Sequence, residues 1–191
     1  METLRCNEMR AERRHGRRGF LLLPALLAGC ETDPVGDYLL GLGDPVRGAA
    51  LYAPQNLGDT SRWRGRPAEA ALAVEQLEFL ANELSTNARY APEINPLVQM
   101  QMDAARTEMR DFLGIAPGAP PQLVIGSMRR VHEALRAGSR AAAESMLSGP
   151  AFTAGPMVTL ARLSALPRLP RVAEAAEAVA AEFGRLDTRR R

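Results

Sequence analysis

The sequence predicts an all-α fold, a small bundle of about four substantial helices and two or three short ones. Three observations predict it. Beyond residue 30, apolar residues recur at three- and four-residue spacing, the repeat of one helix face. Prolines stand where such stripes begin and glycines where several end, the usual asymmetry of helix termini. No window alternates apolar and polar residues between turn signals, and the β-branched residues are few and scattered.

The elements follow in order. Asp44 caps a short helix with Pro45 at its first position, ending near Ala53 before Pro54. Residues 55–65 read as a polar loop that carries the sole tryptophan, Trp63. Pro67 opens a long helix with Ala70, Ala73, Leu77, Leu80 and Leu84 on one stripe, widened by Val74 and Ala81. Leu72 and Phe79 form a second stripe, and Glu69, Glu75, Gln76, Glu78 and Asn82 take the remaining side. A helix apolar on two flanks belongs at the centre of a bundle. Asn95-Pro96 caps and opens the next, with Val98, Met102, Ala105, Met109 and Phe112 inward and Gly114 closing it. Pro121 opens a third, with Val124, Met128, Val131 and Leu135 inward and Gly138 past its end. Ser139 caps a short helix reaching Leu147, and Gly149 to Pro156 frame a loop around Phe152. Pro156 starts a helix that stops before Pro167, and Pro170 starts the last, with Val172, Ala176, Val179 and Phe183 inward.

The N-terminus is of another kind. Arg10, Arg13, Arg14, Arg17 and Arg18 precede an apolar run, Phe20–Gly29, that halts at Cys30. A basic stretch followed by about ten apolar or small residues has the form of a secretory signal and is too short to span a bilayer. The tetrapeptide Leu27-Ala28-Gly29-Cys30 resembles the lipobox of bacterial lipoproteins. The resemblance covers residues 1–30 only. It implies diacylglycerol on the Cys30 thiol, cleavage between Gly29 and Cys30, and acylation of the new amino group. Acyl chains at ~0.8 kcal/mol per buried methylene make a durable membrane anchor when two or more are present. Arg17-Arg18-Gly19-Phe20-Leu21 also resembles a twin-arginine export signal, which any arginine-rich leader can imitate. Glu31 follows the cysteine in place of the aspartate that retains enteric lipoproteins at the inner membrane. The expected address is therefore the cell envelope, with the periplasmic face of the outer membrane favoured over the inner membrane. The domain plan becomes a signal at 1–29, a lipidated cysteine and tether at 30–44, a single helical domain at 45–187 and a basic tail at 188–191.

Composition narrows the chemistry. Six of the 24 basic residues and three of the 22 acidic ones precede Cys30, so the remainder carries 18 against 19 and a formal charge of −1. The basicity of the whole chain belongs to its leader and gives no reason to expect a nucleic-acid partner. Every basic residue is arginine, which excludes lysine chemistry such as Schiff bases and Ser-Lys dyads. The two cysteines are Cys6 in the leader and Cys30 at the lipid site, so no disulfide is expected within the domain.

Candidate sites are sparse. His132 is the one histidine after residue 30, too few for the common zinc sites, and no G-x-S-x-G is present. Met100-Gln101-Met102 could suggest copper, but residues two apart on a helix point away from each other; Met102 and Met109 lie two turns apart. Met128 and His132, four apart, could supply two ligands, though Met102, Met109 and Met128 lie on apolar stripes and read best as core. Neither catalytic residues nor a metal are expected, and no cofactor beyond the covalent lipid. The acidic residues read mainly as solvated helix faces. Arg62-Trp63-Arg64-Gly65-Arg66 stands out, because Arg and Trp are enriched where proteins bind. It reads either as a contact for a lipid headgroup, an anionic glycan or an acidic envelope protein, or as a tryptophan plug whose arginines cover carboxylates such as Glu69. The expected function is a lipid-anchored, non-catalytic interaction or scaffold module. The alternatives are a binder of a small or lipidic ligand between the Met-rich helices, and a cell-wall enzyme using paired carboxylates. The oligomeric state is left open.

Overall fold

Proline opens six of the seven α-helices in the computed structural model, which describes residues 43–189. Its fixed φ suits the first helical turn, where a missing N–H costs nothing. The helices are α1 (Pro45–Leu57), α2 (Pro67–Thr86), α3 (Pro96–Leu113), α4 (Pro121–Arg136), α5 (Arg140–Met146), α6 (Pro156–Leu163) and α7 (Pro170–Arg189), with a 3-10 turn at Thr60–Trp63. Three caps form as the sequence predicts. Asp44 accepts from the N–H groups of Val46 and Arg47, Asn95 from Leu97, and Ser139 from Ala142. Gly114 ends α3 in the left-handed region at φ 74°. No strand occurs among the described residues; a single antiparallel bridge joins Ile115 to Phe152.

Helix α2 is the axis of the bundle. It packs most extensively on α4 and also touches α1, α3, α6 and the 3-10 turn, while α7 lies across α1 and α3. Val74, Leu77, Leu80 and Leu84 of α2 meet Met102 and Met109 of α3, Met128 of α4 and Phe183 of α7 in one apolar core. Phe152, the centre of the loop between α5 and α6, is itself buried in that core.

Three expectations need correction. Helix α1 does not stop before Pro54 but runs on to Leu57, so residues 55–57 are helix and 60–63 a 3-10 turn. A proline inside a helix costs about 3 kcal/mol. Here the extra turn seats Leu57 in the core and lets Asn56 donate to Gln76 Oε1 at 2.8 Å, and Gln76 in turn donates to the Ala49 carbonyl at 2.8 Å. Tertiary contacts thus hold the turn that local chemistry disfavours. Second, Glu75, Gln76 and Glu78 are not a solvated face. They are 3%, 6% and 1% exposed, because another helix covers each: α4 reaches Glu75, α1 reaches Gln76 and α3 reaches Glu78. Third, the last helix takes in Thr188 and Arg189, the first two residues of the expected tail, with the Thr188 hydroxyl donating back to the Gly184 carbonyl.

Polar side chains on the inner faces link one helix to the backbone of another. Glu182 of α7 accepts from the Asn95 N–H ahead of α3 at 2.9 Å, and Glu108 of α3 accepts from the Val172 N–H in the first turn of α7 at 3.1 Å. Carboxylates at helix N-termini meet unpaired N–H groups and the positive end of the helix dipole. The two helices therefore cap each other.

Candidate functional site

The Arg62–Arg66 edge is built by the turn between α1 and α2. Asp59 starts the turn by accepting from the Ser61 N–H at 3.1 Å and its hydroxyl at 2.7 Å, and these bonds hold its carboxyl below the usual range. The Thr60 hydroxyl is buried, donates to the Pro167 carbonyl and accepts from the Leu169 N–H. Gly65, at φ 76°, donates to the Ser164 carbonyl at 2.8 Å. The edge is thus bolted to the 164–169 segment before α7.

On this base Trp63 is half-buried against the core, and its indole N–H donates to the Asn56 carbonyl at 2.8 Å. The guanidinium carbons of Arg62 and Arg66 lie 4.8 Å and 5.2 Å from its ring centroid, within cation–π range. Arg62 also donates to the Gln55 carbonyl, and Arg66 faces Glu69 at 3.7 Å. The Arg64 N–H donates to the Ser61 carbonyl at 3.1 Å, but its exposed guanidinium has neither a hydrogen bond nor an ion pair among the described residues. Both readings of the motif therefore find support in the geometry: the tryptophan does fill a gap, and the arginines around it stay at the surface.

The other sequence candidates go elsewhere. Met102, Met109 and Met128 are at most 1% exposed and serve as core, whereas Met100 is 68% exposed. His132 is half-buried, with Nδ1 3.1 Å from the Ala68 carbonyl. Among the described residues no three His, Cys, Asp or Glu side chains gather as metal ligands, and no helix is long and apolar enough to cross a membrane. Gly29 and Cys30 lie outside the described residues.

Two buried ion pairs on α2 escaped the sequence reading. Glu78 receives Nε and Nη2 of Arg110 from α3, each at 2.6 Å, and Arg110 Nη1 donates to the Pro117 and Ala119 carbonyls. Glu75 receives one bond, from Arg129 of α4 at 2.7 Å, and its Oε2 is buried without a partner. Burial pushes the Glu75 carboxyl up to about 7, against the pull of Arg129 and with the help of nearby Glu133. A carboxyl that titrates near neutrality suits proton transfer in principle. Glu75 lines neither of the two clefts described next. The sequence carried part of the signal for these residues: Glu75 and Glu78 lie together in one of the two gaps between the apolar stripes of a helix that reads as central.

The larger cleft, about 630 Å³, is open and lies where the chain enters α1, lined in part by Asp44, Phe79, Glu83, Arg89 and Tyr90. Its polar groups are engaged with one another: Asp44 accepts from Arg89 at 2.8 Å and from the Tyr90 hydroxyl, and Glu83 accepts from Asn87 at 2.7 Å. A second, of about 420 Å³, lies between Gly58 and the start of α7, beside Arg168, Glu174 and Glu177. None of Met102, Met109 and Met128 lines either cleft. No protein-family model, curated protein or solved structure matches this chain.

Proposed function

We propose that this protein is a lipid-anchored module of the cell envelope, held through Cys30, whose helical domain binds rather than catalyses. The observation that carries the binding role is the Arg62–Arg66 edge. It offers an aromatic ring in register with two guanidiniums, and an exposed Arg64 whose guanidinium has no partner among the described residues. Side chains of this kind dominate binding energy at protein surfaces. The neighbouring backbone bonds fix the edge in place, so little order is lost on contact. The anchoring role rests on the lipobox resemblance at Leu27-Ala28-Gly29-Cys30.

Membrane fractionation and mass spectrometry of the expressed chain test the reading. The expected product begins at Cys30, carries diacylglycerol on its thiol and sediments with membranes, while Cys30→Ala accumulates as unprocessed precursor. Normal maturation of Cys30→Ala would refute the anchor.

A further inference from the structure

The edge also indicates what it binds. Arg62 and Arg66 lie over the Trp63 ring, Arg64 follows it in the chain, and Arg168 lies near enough to act on Asp59. Arg168 stands beside Glu174 and Glu177, so the balance at the edge is that of its three arginines against two carboxylates. Asp59 is occupied by Ser61, and Glu69 stands 3.7 Å from Arg66. The surplus charge is positive, on guanidiniums that match phosphate oxygens well. It surrounds the chain's one tryptophan, a residue that settles at the headgroup level of bilayers.

Reach decides between anionic partners. Twelve residues separate Cys30 from Gly43, thirteen Cα–Cα steps that extend to at most about 45 Å. Helix α1 then carries the chain about 20 Å from that entry to the turn that holds Trp63. A membrane that holds Cys30 is therefore within range of the edge and is present at high effective concentration, an advantage no freely diffusing acidic protein or glycan has. We propose that the Arg62–Arg66 edge is a second membrane contact that docks the domain onto anionic phospholipid. The proposal rests on the anchored reading above. An acyl anchor plus a basic patch is a recurrent pairing for stable membrane attachment.

Trp63 reports directly on its own surroundings, because no other tryptophan contributes to the emission. The full processed chain is reconstituted into phosphatidylcholine vesicles with or without phosphatidylglycerol. Quenching of Trp63 by brominated acyl chains and by aqueous acrylamide is then read in each. The expected result, with phosphatidylglycerol, is stronger acyl-chain quenching and weaker acrylamide quenching, both reversed by high salt. Arg64→Gln, which removes no internal bond, should lower the docked-to-undocked ratio about fivefold, and Arg64→Lys should largely restore it. Trp63 quenching that ignores phosphatidylglycerol would overturn the proposal. So would shielding by soluble polyglutamate but not by vesicles, which would assign the edge to an acidic macromolecule. Mass spectrometry of the same sample keeps the two readings apart. An unmodified Cys30 sinks the anchor, whereas a lipidated Cys30 with an indifferent Trp63 sinks only the docking surface.

Discussion

Glu75 and Glu78 lie three residues apart on α2, both almost wholly buried and each facing an arginine from another helix. Their surroundings differ. Arg110 meets both oxygens of Glu78, is itself 5% exposed at its side chain, and spends its remaining nitrogen on two loop carbonyls. Arg129 meets one oxygen of Glu75, is 20% exposed, and leaves the other oxygen without a partner. One pair is closed and fully hydrogen-bonded; the other is half-made. The comparison teaches that burial does not by itself decide what an internal charge does. The count of satisfied bonds does, because a buried polar atom without a partner keeps its full desolvation cost.

The largest effect expected is from breaking the closed pair. Arg110→Ala strands Glu78 in the core and frees the 117–119 carbonyls, and should cost about 3–5 kcal/mol in urea unfolding. A loss under about 1 kcal/mol would mean that water reaches Glu78 and would dissolve the contrast. Next comes the half-made pair, with the opposite sign. The folded-state carboxyl of Glu75 is raised from its ordinary 4.5 to about 7. Between these values the unfolded chain has released the proton and the folded chain still holds it. Stability contributed by the neutral form is therefore full below about pH 4.5, falls as pH rises to 7, and is absent above it. Glu75→Gln should remove that fall and stabilise the protein at pH 8 by up to about 3 kcal/mol. Parallel pH–stability curves for wild type and variant would show that Glu75 does not titrate in this window.

Gly114→Ala probes the support of the closed pair. Gly114 ends the helix that carries Arg110, at φ 74°, and an added Cβ would come within 2.3 Å of the Ala154 Cβ. The Gly114 carbonyl also accepts from the Thr153 hydroxyl, and the Ala116 N–H donates to the Ala151 carbonyl, so the clash must shift the loop that Arg110 holds. A cost of about 1–3 kcal/mol is expected by thermal unfolding. In the Arg110→Ala background the penalty should shrink, since the loop is already released. The smallest effect belongs to Arg64, whose side chain has no partner among the described residues. Arg64→Gln should change stability by less than about 0.5 kcal/mol. A larger loss would make the edge a structural brace and weaken its case as a binding surface.

Particular residues show how far the sequence could be read. Asp44, Asn95 and Ser139 were legible as caps because a cap is local: one side-chain oxygen meets an N–H two or three residues on. The inward stripes of α3, α4 and α7 were legible because each helix has one buried side. Pro54 misled because its local cost is outweighed by Leu57 and Asn56, whose partners lie on other elements. The Arg62–Arg66 motif was visible as a string of residue types. That Arg62 and Arg66 both approach the Trp63 ring, and that Arg64 does not share in this, needed coordinates.

By itself, then, the sequence determined the helical class, most helix starts, the apolar faces and the distinct character of the first thirty residues. Each of these follows from spacing and from short-range steric and hydrogen-bonding rules. Only the tertiary structure decided which carboxylates are interior, which arginine answers each one, and how completely. Those outcomes depend on what covers each side of α2: α4 and α3 lie over Glu75 and Glu78, while Leu72, Phe79 and Glu83 are only partly buried.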